Sequence, residues 1–128
     1  MRSKQAVISA FVAAFLLVCG AAYAHHGTAN YLTTKSVTVK GTVTDFEFVN
    51  PHVLVYMDVK DDSGKVTKWQ GELTSPNRLA RVGWHKDSIK IGDTVTMSGF
   101  PAKSGSPEIW IQKVELPSGE TLPTGIGN

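Results

Sequence analysis

Three strand signals, one short helix signal and two further strand signals, in that order, predict an all-β fold. The order is that of a five-stranded Greek-key β-barrel of the OB type, with its single short helix between strands three and four. Two observations sharpen this. The first strand signal is long and changes phase partway, as a bulged strand does. The only stretch with helical punctuation is ten residues long and sits after the third strand signal.

The elements follow one another without gaps. In "SVTVKGTVTDFEFVN", Val37, Val39, Gly41 and Val43 share a face, and then Phe46 and Phe48 take over the apolar phase, which places a bulge near Thr44–Asp45. "HVLVYMDVK" alternates with Val53, Val55, Met57 and Val59 on one face, and "DDSG" at 61–64 is a turn. "KVTKWQGELT" alternates again with Trp69 and Leu73 in phase. In "SPNRLARVGW", Ser75 suits an N-cap, Pro76 the first helical position and Gly83 the stop. "TVTMSGFPA" and "EIWIQKVEL" supply the last two strands, joined by the "KSGSP" turn.

The chain opens with "MRSKQAVISAFVAAFLLVCGAAYA". Arg2 and Lys4 form a basic start, an apolar run extends from Ala6 to Val18, and Ala22 and Ala24 suit the small positions of an A-x-A cleavage site. The run is short of the roughly 20 apolar residues that a membrane helix needs. A signal peptide cleaved after Ala24 is the expectation, and a periplasmic or secreted bacterial location follows from it. Cleavage after Ala22 and lipidation at Cys19 are the alternatives, although "LLVC" is a poor lipidation signal. The chain then divides into a signal peptide (1–24), an N-terminal arm (25–35), the barrel (36–118) and a loose tail (119–128).

Removing residues 1–24 takes away Cys19 and two of the 13 basic residues, leaving 11 to balance 11 acidic ones. A neutral, cysteine-free exported domain must depend on its hydrophobic core. It has no electrostatic footprint for nucleic acid, and after cleavage no membrane segment. The expected partner is a periplasmic protein or a small ligand.

No catalytic constellation is recognisable, so an enzyme is not expected and no catalytic residue is assigned. The chemistry left is that of four histidines: His25, His26, His52 and His85. Cleavage after Ala24 makes His25 the first residue, whose α-amine and imidazole can chelate one ion together. Such nitrogen ligands suit Cu(II) best among the divalent first-row metals. His26 adds an imidazole, and His52, in "VNPHV" behind the Asn50-Pro51 break, is the internal partner. Copper is the candidate cofactor, with His25, His26 and His52 as its ligands. For His25 to meet His52 the arm must fold back along strand one, because residues 25–36 reach roughly 40 Å and the strand spans about as much. The plainer role for His52 is a hydrogen bond to the Asn50-Pro51 turn. His85 reads as part of an exposed connector. Trp69, Trp84 and Trp110 either stack a planar ligand or complete the core. Asn50, Pro51, Trp69 and Trp110 form the candidate ligand face. Glu72, out of phase with Trp69, reads as solvated, although an inward glutamate there would signal a site.

Taken together, "AHHG" after the signal peptide, "GTVTDFEFVNPHVLVYMDV", "ELTSPNRLARVGW", "IKIGDTVTMSGFPAKSGSPE" and "VELPSGETL" resemble the domain-of-unknown-function family 6152, small exported bacterial proteins. The resemblance spans nearly the whole mature chain. It implies an OB-like periplasmic domain and no particular reaction. Its pattern falls here on His25, His26, Asn50, Pro51, His52, Ser75, Pro76, Asn77 and Trp84. Gly27 stands where the family commonly has Ser, and His85 where it has another polar residue.

The leading expectation is a non-enzymatic exported barrel that binds a copper-like ion through its processed terminus. A metal-independent module binding its partner near Asn50–His52 and the Ala102–Pro107 loop is the alternative. A copper-dependent oxidative enzyme ranks third. Protein recovered from the exporting host is expected to begin His25-His26-Gly27, which intact mass and N-terminal sequencing check; a start at Met1 or a lipidated Cys19 would contradict it.

Overall fold

The structure, a computed structural model, describes residues 27–125. The expected signal peptide with its expected cleavage site, Cys19, His25 and His26 lie outside the described residues. Six strands form one sheet: β1 (Val37–Glu47), β2 (Leu54–Lys60), β3 (Val66–Glu72), β4 (Thr94–Pro101), β5 (Glu108–Glu115) and β6 (Thr121–Leu122). The five long strands close into a barrel, because the sheet order β3-β2-β1-β4-β5 is joined end to end by a β3–β5 pairing. The closing pair is parallel, with Gln70–Glu72 alongside Glu108–Trp110; the other pairs are antiparallel. A short helix, α1 (Pro76–Ala80), lies between β3 and β4. This is the predicted OB topology. Among the described residues no helix is long and apolar enough to cross a membrane.

The phase flip in strand one is a real bulge. The β1–β2 register jumps between Val43 and Asp45, so one extra residue reverses which side chains face inward. Before the bulge β1 pairs mainly with β4, and after it with β2. The barrel is filled as the alternation predicts, with Val43, Val53, Val55, Met57, Val95, Met97, Ile109 and Ile111 all buried, and Val114, of the opposite phase, joins them because the β4–β5 register shift skips a residue before it. Leu79 of α1 and Trp84 join the same cluster. Gly83, at φ 97°, ends the helical region in a conformation open to glycine. Ser75 sits at the N-cap but its side chain makes no capping bond, contrary to the usual reason for serine there.

The turn at 61–64 is built as expected. Asp61 Oδ1 accepts from Ser63 N (2.9 Å), Ser63 Oγ (2.6 Å) and Lys65 N (3.0 Å). These bonds, the Ser63 hydroxyl first, hold its carboxyl below the usual range.

The tail departs from expectation. Residues 119–128 read as loose, yet Thr121–Leu122 pair with Val114–Glu115 as β6. The Trp84 indole donates to the Pro123 carbonyl (2.6 Å), and Thr124 Oγ1 donates to the Gln112 carbonyl (2.9 Å). Proline and glycine content set the expectation; tertiary hydrogen bonds overrule it through Thr124.

The β4–β5 ladder shifts register at Ser98/Gly99, and a Cβ on Gly99 would collide with the Trp110 carbonyl oxygen. Backbone cannot yield as a side chain can. Gly99→Ala is therefore expected to cost about 1–3 kcal/mol, the range for overpacking; an unchanged urea midpoint would show that the ladder relaxes.

Candidate functional site

Closure of the barrel places the end of β3 against the start of β5, with Glu72 in register with Trp110 on one side and Leu54 on the other. His52 precedes this edge. Its neighbour Val53 is locked to the chain after β3, donating to the Thr74 carbonyl (3.2 Å) and accepting from Leu73 N (2.9 Å). His52 is thereby held beside Glu72, and its Nδ1 hydrogen-bonds Glu72 Oε1. The other carboxylate oxygen, Oε2, accepts from the Tyr31 hydroxyl at 2.5 Å. Glu72 bridges two side chains that sit 20 residues before and 41 residues before it. The expected bond from His52 to the Asn50-Pro51 turn gives way to this longer-range one.

Glu72 does lie on the strand face opposite Trp69, as its phase requires, but it is not solvated. Its side chain is only 20% exposed. The outer wall of the barrel is covered there by a second small core of Tyr31, Ala102 and Trp110, with Phe100 packed on it. Ile109 and Ile111 point into the barrel while Trp110, between them, is buried outside it. The arm makes this cover. After the 3₁₀ turn Gly27–Asn30, Tyr31 bridges Ala102, Leu32 N donates to the Pro101 carbonyl (2.9 Å), and Lys103 N donates to Asn30 O (2.9 Å). The Tyr31 and His52 rings lie 5.8 Å and 5.6 Å from the Trp110 ring.

The arm reaches this end by a route other than the expected one. It does not retrace β1. The start of β1 pairs with β4, β4 with β5, β5 with β3 and β3 with β2. Four ladder steps of roughly 4.8 Å carry the wall about 19 Å around to His52, roughly half the length of the strand. Gly27 and Thr28 consequently line the same cleft as His52.

That cleft, of about 590 Å³, is also lined by Thr74, Ser75, Arg78, Phe100 and Trp110. Of the residues expected to form one ligand face, it contains Trp110 alone. Trp69 lies in a separate groove of about 450 Å³ with Tyr56, Gln70, Lys68 and the carboxylates Asp45, Glu47 and Glu108. Partial burial, then the charges of Glu47 and Asp45, raise the Tyr56 phenol. Asn50 and Pro51 are exposed and joined by a cis peptide. Trp84 is a core residue, and His85 is exposed, its Nδ1 accepting from Asp87 N (3.2 Å). Among the described residues no group of three His, Cys, Asp or Glu side chains could hold a metal ion.

Sequence reasoning misses Tyr31 and Glu72. The signal available is a lone aromatic in a polar arm, together with a glutamate at the end of a strand. Neither becomes a site until the barrel closes.

The closed barrel with its helix after β3 is an OB-fold. The model of a family of unknown function (DUF6152) matches residues 14–109, and the chain belongs to that family. No curated protein matches it. Among solved structures it is similar to Rim1, the mitochondrial single-stranded DNA binding protein of S. cerevisiae, at 8% identity and TM-score 0.51, covering 65% of this chain and 93% of that one. It is also similar to TiaS in its complex with a transfer RNA and ATP, at 19% identity and TM-score 0.47, covering 67% of this chain and 19% of that one. At 8% identity the likeness to Rim1 is one of fold.

Burial, then the hydrogen bond to Glu72 and its charge, with Glu108 adding to them, push the Tyr31 phenol well above its ordinary value near 10. The unfolded chain ionises above that ordinary value while folded Tyr31 does not, so its contribution is complete below pH ~10 and is lost as pH rises further. The wild-type urea midpoint is expected to fall between pH 9 and pH 11 by more than that of Tyr31→Phe; equal falls would remove Tyr31 from the account.

Proposed function

We propose that this protein is an exported bacterial barrel that binds a copper-like ion in the His52 cleft, with His52, His25 and His26 as ligands. The observation that carries the reading is the His52–Glu72 hydrogen bond. An imidazole whose Nδ1 is held by a carboxylate is fixed in direction and keeps Nε2 for a metal. Metal-bound histidines are oriented by this arrangement, and the carboxylate raises their basicity. Tyr31 in turn steadies Glu72.

The second support is the course of the arm. Gly27, which follows His26 directly, lines the cleft that His52 lines. With cleavage after Ala24, the His25 α-amine and imidazole are a ready chelate, and three nitrogen donors favour Cu(II) over the earlier metals of the row. The described residues offer no complete ligand group of their own. The reading therefore requires the processed terminus, and with it export to a periplasmic or extracellular compartment. It assigns no reaction. It includes no nucleic-acid partner, because the mature charge is balanced and supplies no basic groove.

Copper titration of host-processed protein, followed by calorimetry and by electron paramagnetic resonance, tests this. A one-to-one site with nitrogen hyperfine structure is expected. It should weaken at least tenfold in His52→Ala and by roughly 10–100-fold in Glu72→Gln, the usual cost of losing such an orienting partner. Equal affinity in wild type and His52→Ala would overturn the reading and leave a metal-independent barrel.

A further inference from the structure

The wall of the cleft that the β3–α1 connection supplies is chemically unlike its histidine. We propose that it is a subsite for a small oxyanion, a carboxylate or a phosphate, gripped by Arg78 and hydroxyl donors. The inference concerns the same cleft as the copper reading but does not depend on a metal.

Among the described residues Arg78 is the only lysine, arginine or carboxylate side chain in the lining. None of the ion pairs among the described residues involves it. A planar guanidinium with five donors suits the paired oxygens of carboxylate and phosphate. Two hydroxyls stand with it. Ser75 occupies the N-cap position of α1 without using its side chain to cap. Thr74 is one of two buried polar residues among those described. The other, Thr124, is committed to the Gln112 carbonyl, whereas Thr74 lines the cleft.

An independent observation comes from Trp110. Trp110 is only 5% exposed and lines the cleft, and its indole nitrogen, itself shielded from solvent, has no hydrogen-bond partner among the described residues. Buried donors in native proteins are nearly always satisfied, and an exception calls for an explanation, a bound ion or water being one. The buried indole of Trp84, by contrast, donates to the Pro123 carbonyl. Arg78, Ser75, Thr74 and Trp110 are all able to donate, and Arg78 and Trp110 cannot accept at all. The complement of that set is a small anion rich in acceptor oxygens.

Metal-free, 15N-labelled protein is titrated with oxalate and, separately, with inorganic phosphate, and the three indole N–H signals are followed by NMR. A saturable shift of the Trp110 signal is expected with at least one of them, while the Trp84 signal stays in place. Which anion produces it distinguishes carboxylate from phosphate recognition. The apparent affinity should fall at least tenfold in Arg78→Gln and hold within twofold in Arg81→Gln, which removes the same charge three residues away and outside the lining. No saturable Trp110 shift with either anion, or equal loss in the two arginine variants, would overturn the subsite. Because the protein carries no metal, a failure here leaves the copper titration untouched, and a failed copper titration leaves this one untouched.

Discussion

Everything distinctive about this molecule depends on the three-residue parallel pairing of Gln70–Glu72 with Glu108–Trp110. It closes the barrel, and so encloses the aliphatic core. It also has a local consequence. By placing Trp110 beside Glu72 it creates a stretch of outer wall that is apolar on one residue and acidic on the next. Such a surface is costly to leave as it is, since a large indole would face water and a carboxylate would border it. The arm resolves both needs with one residue: the Tyr31 ring packs against Trp110 and its hydroxyl donates to Glu72.

That cover changes the character of His52. A histidine at the start of a strand is ordinarily a half-wet side chain with several rotamers. Here its backbone is pinned through Val53, its Nδ1 is held by Glu72, and its ring edge meets Trp110. The result is an oriented imidazole on the wall of a cleft that also admits the start of the arm. The proposed copper ligation and the proposed oxyanion subsite draw on different parts of that cleft, one on the oriented histidine and one on the donors after β3. Both follow from the closing pair, because the β3–α1 connection leaves the barrel at the residue where β3 stops pairing with β5.

Much of the fold is legible in the sequence. The move of the apolar set from Val43 to Phe46 marks the bulge because a strand has a strict period of two, and one inserted residue must reverse it. The helix is legible from Pro76 and Gly83, whose backbone preferences are local. The site is legible only in part. His52 is visible as an unexplained histidine behind a proline. Glu72 reads as solvated because phase tells which face a residue occupies but not what covers that face. Tyr31 gives no signal because a segment of irregular, polar sequence carries no period from which docking can be inferred. The arm's path is hidden for a similar reason: distance along a strand is a property of the chain, whereas the shorter way around exists only once the barrel is closed.

Sequence by itself therefore determined the strand order, the bulge, the helix and the composition of the core, since each follows from the alternation of side chains or the dihedral limits of single residues. It also determined family membership through motifs spread over the chain. Tertiary structure alone decided which tryptophan faces the His52 cleft, that the tail is pinned as far as Thr124, and that Tyr31, Glu72 and His52 meet. Those three lie far apart in the chain, and their hydrogen bonds depend on positions set by closure, which no local preference encodes.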